Sequence, residues 1–351
     1  MNKKILLLLF CVVVLLFMSG CAEEIQQVQE SAPISPEEGP IAQETPIPTE
    51  ASITEEVPQI QQEFPRKDIA LYFGVWLAIP YFPGTQSLEK REDIVALGAN
   101  TVAFAVEIPY YGDGSIDQEA MEDSKKEAQR LIRYYKEAGL AVALSPEPLL
   151  IEFEGVPEPL PASIRQRFVQ EYTPHAVDLA QIAEEGNAEI FSPMNEPDYK
   201  LGYELASSWG QDILPEIHKV FTGKVMWKGL TSDDSENIKK VDFSGYDIIG
   251  FTSFPWGGIE NYKSNFRLFL TSLKEKAAMD GVKELFAAEF GTYEPVKLPK
   301  QDEAKSIQYI FEEGKGKLQG FLVFDPPEGF GTPIKGSDLE VNVKEEFENI
   351  K

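Results

Sequence analysis

The chain has 351 residues, with 58 acidic against 32 basic side chains and a net charge of −26, long enough for one large domain or two smaller ones. So acidic a surface repels phosphate backbones and anionic headgroups, which argues against nucleic-acid binding and electrostatic membrane docking but leaves neutral sugar polymers unopposed. The two cysteines, Cys11 and Cys21, lie at the start, so the rest of the chain has no disulfide framework or thiolate metal site.

Residues 1–21 read as a leader. Lys3 and Lys4 precede an apolar run from Ile5 to Met18, 14 residues long, short of the ~20 a membrane span needs and typical of a signal-peptide core. Ser19-Gly20-Cys21-Ala22 resembles the lipobox of prokaryotic lipoproteins. That resemblance implies cleavage before Cys21, a lipid on its sulfur, and an extracytoplasmic protein anchored to the cell membrane. Residues 22–65 hold ten Glu and seven Pro with no Lys or Arg. Such a segment buries too little apolar surface to offset chain entropy, so it is expected to be a disordered tether, stiffened by proline and extended by charge repulsion. The leader's +2 and the tether's −10 leave −18 for residues 66–351.

Residues 66–351 alternate apolar runs with amphipathic stretches. Eight β-like runs are predicted, at 71–78, 100–107, 140–146, 188–194, 224–228, 247–252, 284–290 and 319–325. Each is continuously apolar, as suits parallel strands buried on both faces. Helices are predicted over 118–138, 162–186, 202–222, 260–281 and 302–316, with Gly139 and Gly186 as stop signals. The connection between the fifth and sixth runs is too short for a long helix. Eight strand–helix alternations predict an α/β fold, a single-domain (β/α)8 barrel. An open doubly wound sheet is the competing arrangement, but no Gly-x-Gly-x-x-Gly turn follows an early strand.

Active sites of such barrels lie at the carboxyl ends of the strands. The fourth run ends in Met194-Asn195-Glu196-Pro197 and the seventh in Glu289-Phe290-Gly291. Taken alone, Asn195-Glu196-Pro197 would also suit a helix start, with Asn as cap and Pro in the first turn. Two glutamates at strand ends are the minimal equipment for breaking a glycosidic bond. At these residues the chain resembles the retaining (β/α)8-barrel glycoside hydrolases of the clan A type. The resemblance implies Glu196 as acid/base, Glu289 as nucleophile and Asn195 as the partner of the substrate 2-hydroxyl. It implies no cofactor. It also requires the two carboxyls to stand ~5–5.5 Å apart, close enough to raise one pKa.

Aromatic side chains near strand ends can stack on the apolar faces of sugar rings. Trp76, Tyr110, Trp256 and Tyr293 are expected to bind substrate, while Tyr111, Tyr199, Trp227 and Phe254 are further aromatics in or after strands. Trp76 and Trp227, within runs, also suit a core position. Of the other strand-end acids, Glu107, Glu147 and Asp325, the last is the strongest candidate for binding hydroxyls because it stands before the Pro326-Pro327 turn.

The resemblance has gaps. The second run, Thr101 to Glu107, lacks the arginine that commonly supports the nucleophile. Phe254-Pro255-Trp256 stands where a Tyr or His is common, Phe324 where a Trp is, and Ser145-Pro146-Glu147-Pro148 where a His often follows the third strand. His175 and His218 fall within predicted helices, and Asp233-Asp234-Ser235-Glu236 lacks calcium-loop spacing, so no metal is expected. The expected protein is a monomeric, surface-tethered retaining glycoside hydrolase acting on a β-linked poly- or oligosaccharide, with endo-acting mannanases the nearest class. The alternatives are a carbohydrate-binding lipoprotein with impaired catalysis and an envelope glycan transglycosylase.

Overall fold

The computed structural model describes residues 64–78, 84–151, 159–232, 235–296 and 298–351. The leader, Cys21 and the tether as far as residue 63 lie outside the described residues.

The strands are β1 (Tyr72–Leu77), β2 (Thr101–Phe104), β3 (Glu107–Tyr110), β4 (Ala141–Leu144), β5 (Glu147–Leu150), β6 (Ile190–Phe191), β7 (Lys224–Thr231), β8 (Ile248–Ser253), β9 (Glu284–Gly291) and β10 (Gly320–Phe324). Eight of them close in the order β1-β10-β9-β8-β7-β6-β4-β2, every pair parallel. These are the eight runs expected from sequence, so the (β/α)8 barrel is the fold. The helices are α1 (Arg91–Ala96), α2 (Gln118–Glu137), α3 (Arg165–Glu185), α4 (Pro197–Leu201), α5 (Tyr203–Val220), α6 (Ile259–Asp280), α7 (Lys300–Gly314) and α8 (Asp338–Ile350). Among the described residues, a 3-10 turn, Asn237–Lys240, lies between β7 and β8 in place of an α-helix.

Two details differ from the sequence reading. The second and third runs each break after their barrel strand. The chain then re-forms as β3 and β5, which pair with one another outside the barrel, Glu107 opposite Glu147. Helices α1, α4 and α8 were not among the predicted stretches, although Leu339, Val343 and Phe347 recur every fourth residue on the buried face of α8.

Strand alternation divides the core in two. Val75, Val102, Phe104, Val142 and Ile249 point outward against the helices. Tyr72, Trp76, Ala103, Ala141, Ala143, Met226, Phe286 and Leu322 fill the barrel. Alanines from β2 and β4 face these bulky side chains, which lets the interior close-pack without voids. A bulge then redirects β9. Phe286 and Ala288 point inward, so strict alternation would send Glu289 outward to the helices. The register against β8 shifts by one residue between Phe251 and Thr252, bringing Thr252 opposite Glu289. The extra residue turns Glu289 to the inside, a common use of a bulge next to a site.

Candidate active site

A cavity of about 330 Å³ opens at the carboxyl ends of the barrel strands. Asn195, Glu196, Glu289, Trp76, Trp256 and Tyr293 all line it. Tyr110 and Asp325 do not, and here the sequence expectation is corrected. Tyr110 is buried and packs edge-on against Phe168 of α3, its ring centroid 5.3 Å away. Asp325 is buried with both carboxylate oxygens engaged: Oδ1 accepts from Ser87 Oγ at 2.7 Å and Ile334 N at 3.0 Å, and Oδ2 from Leu88 N at 2.7 Å. A carboxylate so committed fastens the segment after β1 to the one after β10 and has no oxygen to offer a sugar. Trp227 is core, edge-on to Phe243 and Tyr246. His175 and His218 sit on α3 and α5; His175 is buried, and the ring of His218 lies 3.3 Å from the Gly245 carbonyl.

Glu196 is held by backbone. The ladder between β6 and β7 extends to an Asn195–Lys228 bridge, and Glu196 N donates to the Lys228 carbonyl at 2.7 Å. The chain turns there into α4, leaving Glu196 at φ +48°, a left-handed conformation rare for a residue with a side chain. Strain of this kind persists where surrounding contacts over-determine it. One such contact comes from Asp198, whose Oδ2 accepts from Leu230 N at 2.9 Å, pinning α4 to an irregular stretch of β7 where Leu230 also has positive φ. Gly229 makes this approach possible, because a Cβ there would overlap Asp198 Oδ1. Burial pushes the Asp198 carboxyl up to about 7, partly countered by the Leu230 amide and reinforced by Glu196.

The sequence reading missed Lys228. It points into the barrel with no solvent exposure, and its ammonium donates to Glu289 Oε2 in a short ion pair. The same nitrogen lies 3.8 Å from Glu196 Oε1 and donates to Thr252 Oγ1 at 3.2 Å, while the Thr252 hydroxyl donates to Glu196 Oε1 at 2.6 Å. The ring of Trp76 covers the ammonium at 4.6 Å. One cation therefore serves both glutamates. The sequence signal was weak, because Lys228 closes the predicted run 224–228; only its full burial within β7 shows that it must be paired, since lysine is almost never fully buried otherwise.

Electrostatics follow from two largely buried carboxyls and one fully buried ammonium. Burial depresses the Lys228 ammonium, but Glu289 and Glu196 more than offset it and hold it above its ordinary value. Burial pushes the Glu289 carboxyl up to about 7, against the pull of Lys228. Burial also acts to raise Glu196, but Lys228 and the Thr252 hydroxyl hold it below its ordinary value. These titrations belong to the pair. With one proton between them, the two carboxyls and the ammonium sum to zero charge.

A second network flanks the first. Lys200 of α4 pairs with Glu147 Oε1 at 3.2 Å, and Glu147 Oε2 accepts from the Asn195 amide at 3.1 Å. A carboxylate only accepts, so this contact turns the Asn195 NH₂ toward Glu147. Asn195 Oδ1 is buried with no hydrogen-bond partner among the described residues. Trp256 and Tyr199 are exposed at the rim, and Trp256 stands edge-on to Tyr293 with centroids 6.2 Å apart.

No family model and no curated protein match the sequence. Solved structures do. The chain is similar to a GH113 β-mannanase from Alicyclobacillus acidocaldarius, at 18% identity and a TM-score of 0.61 over 81% of this chain and 99% of that one. It is similar to Thermotoga maritima Cel5A, solved with mannotriose, at 12% identity and a TM-score of 0.59 over 79% and 97%. The catalytic domain of the Thermobifida fusca endoglucanase Cel5A matches at 14% identity and a TM-score of 0.54 over 80% and 92%. At these identities the likeness establishes the barrel fold, and it spans nearly the full length of each of these chains.

Proposed function

We propose that this protein is a retaining glycoside hydrolase that cleaves β-linked poly- or oligosaccharides by double displacement. The observation that carries the reading is the pair Glu196 and Glu289, from the fourth and seventh barrel strands, meeting across one buried ammonium in a strand-end cavity. One ammonium within ion-pair reach of both carboxylates draws them together, in keeping with the ~5–5.5 Å separation of a retaining pair. In a pair of that kind no water stands between the carboxyls, and the second carboxyl attacks directly.

The chemistry assigns itself from the contacts. At rest the raised carboxyl is Glu289 and the lowered one Glu196, so the reaction requires the shared proton to pass to Glu196, where it faces the leaving-group oxygen, leaving Glu289 ionised against Lys228. Glu289 attacks the anomeric carbon as the glycosidic bond breaks, and Glu196 passes its proton to the departing oxygen. In the second step Glu196 takes a proton from water, whose oxygen bonds the anomeric carbon and returns the ester's electron pair to Glu289. Asn195 Oδ1, without a partner among the described residues, accepts a hydrogen bond from the sugar's 2-hydroxyl. Trp76, Trp256 and Tyr293 supply apolar faces for the rings.

Mannans and β-glucans are the first substrates to test, because the similar solved structures are described as a mannanase and endoglucanases. Treatment with 2,4-dinitrophenyl 2-deoxy-2-fluoro-β-mannoside and its gluco counterpart, followed by peptide mapping, should place a glycosyl mass on Glu289. A label elsewhere, or a product of inverted anomeric configuration by NMR, would remove this mechanism. Oligosaccharide binding with no cleavage of any substrate would leave a binding protein. The leader reading joins this proposal: Cys21 carries the lipid, and the tether holds the barrel off an extracytoplasmic membrane face. Intact mass of the membrane fraction should show diacylglycerol on a chain beginning at Cys21, and Cys21→Ala should release the protein.

A further inference from the structure

The double-displacement reading leaves one electrostatic problem, and Lys228 answers it. When Glu289 becomes an ester it loses its negative charge. A buried cation bound only to that carboxylate would then stand unpaired, at a cost of several kcal/mol. At the same moment Glu196, having given up its proton, becomes an anion in the same cavity. We propose that Lys228 is a positioning residue for both half-reactions, balancing Glu289 before the glycosyl-enzyme forms and Glu196 after it. This inference rests on the retaining mechanism proposed above.

The geometry is already arranged for such a hand-over. The ammonium lies against Glu289 and 3.8 Å from Glu196 Oε1. Thr252 bridges the remaining gap, accepting from Lys228 Nζ at 3.2 Å and donating to Glu196 Oε1 at 2.6 Å. Trp76 covers the ammonium at 4.6 Å, an attraction that does not depend on which carboxylate is charged. With one proton on the pair the three ionisable groups sum to zero charge. With Glu289 esterified and Glu196 ionised they sum to zero again. A lysine suits this better than an arginine, because a point charge can face two carboxylates in turn whereas a guanidinium fork commits to one. Strand β2, Thr101–Phe104, contributes no cation of its own, so the support of the nucleophile comes from β7 instead.

The two half-reactions can be read separately with 2,4-dinitrophenyl 2-deoxy-2-fluoro-β-glycosides. Dinitrophenolate leaves without a proton, so the inactivation rate reports Glu289 and its cation. Reactivation of the labelled protein in water reports Glu196 and its cation. Lys228→Met should slow both by ~10²-fold or more, the size of losing one pre-organised electrostatic partner. Lys228→Arg, which keeps the charge, should retain a larger share of each rate. Slow inactivation with unchanged reactivation would mean that Lys228 only holds Glu289 in place, and would overturn the hand-over. Thr252→Val tests the same point should Lys228→Met fail to fold. It leaves the Lys228–Glu289 contact, so reactivation should fall ~10-fold while inactivation stays within about twofold. Equal effects on the two rates would contradict the proposal. If the wild-type protein is never labelled, the mechanism proposed above fails first and this inference falls with it.

Discussion

Two buried lysine–glutamate clusters lie at opposite ends of the barrel, and they are built to different standards. At the amino end, Lys136 of α2 pairs with Glu189 at 2.6 Å, each side chain 2% exposed. Glu189 also accepts from the amides of Lys67 at 3.0 Å and Val142 at 2.7 Å, so one cation meets one carboxylate whose remaining capacity is filled by backbone. At the carboxyl end, Lys228 meets two carboxylates, one of them on a left-handed residue and the other turned inward by a bulge. The first cluster is balanced and saturated. The second carries an extra negative charge until it takes up a proton. An arrangement that improves neither packing nor charge balance at rest, yet suits a site whose charges must move during a reaction, marks the functional end of the barrel.

Substitutions at the two ends should therefore fail in different ways. Glu289→Ala should abolish hydrolysis, and Glu196→Ala should lower it ~10²–10⁴-fold, with both proteins folded by circular dichroism. Substantial turnover by Glu289→Ala would break the comparison at its functional end. Glu189→Gln should do the reverse. It strands the Lys136 ammonium among buried groups and should cost ~3–5 kcal/mol in denaturant melts, while kcat of the folded protein is unchanged.

A smaller effect separates the ends by pH. Glu289 and Asp198, both near the carboxyl end, are pushed up to about 7. Between about pH 4 and 7 the folded protein keeps protons that the unfolded chain has released. Their stabilising contribution is thus full below that window and lost as pH rises through 7. The melting temperature should fall from pH 5 to pH 8, and Asp198→Asn should flatten that slope. A steeper slope in the variant would remove Asp198 as its source. Smallest of all, Trp256→Ala at the rim should raise KM ~5-fold, about 1 kcal/mol, and leave kcat alone, as expected for binding shared by ground and transition states.

Much of this was legible because barrel strands are long-range in space but local in pattern. A continuous apolar run such as Leu285-Phe286-Ala287-Ala288 announces a buried strand, and a charged residue at its end announces the mouth of the barrel. Position along a strand was legible, but its facing was not. The bulge that turns Glu289 inward depends on how β8 and β10 shift against β9. Asp325 stands at a strand end like the two catalytic candidates, yet its partners Ser87 and Ile334 come from segments whose approach only the closed barrel decides. Tyr110 was misplaced for a related reason: β3 leaves the barrel after Phe104, carrying the tyrosine onto Phe168. Lys228 was hidden in plain view at the edge of a run, because a lysine at a strand boundary ordinarily reads as solvent-facing.

Trp76 carries a consequence of its own. The chain has four tryptophans. Two of them, Trp209 and Trp227, are buried away from the cavity, whereas Trp76 and Trp256 line it. The indole of Trp76 lies under a fixed positive charge whose counter-ions are the two glutamates. Its emission is tuned by the local field, so esterifying one of those glutamates should shift the spectrum with no dye attached. Under the proposed mechanism that shift would report formation of the glycosyl-enzyme, readable by stopped flow on unmodified substrate.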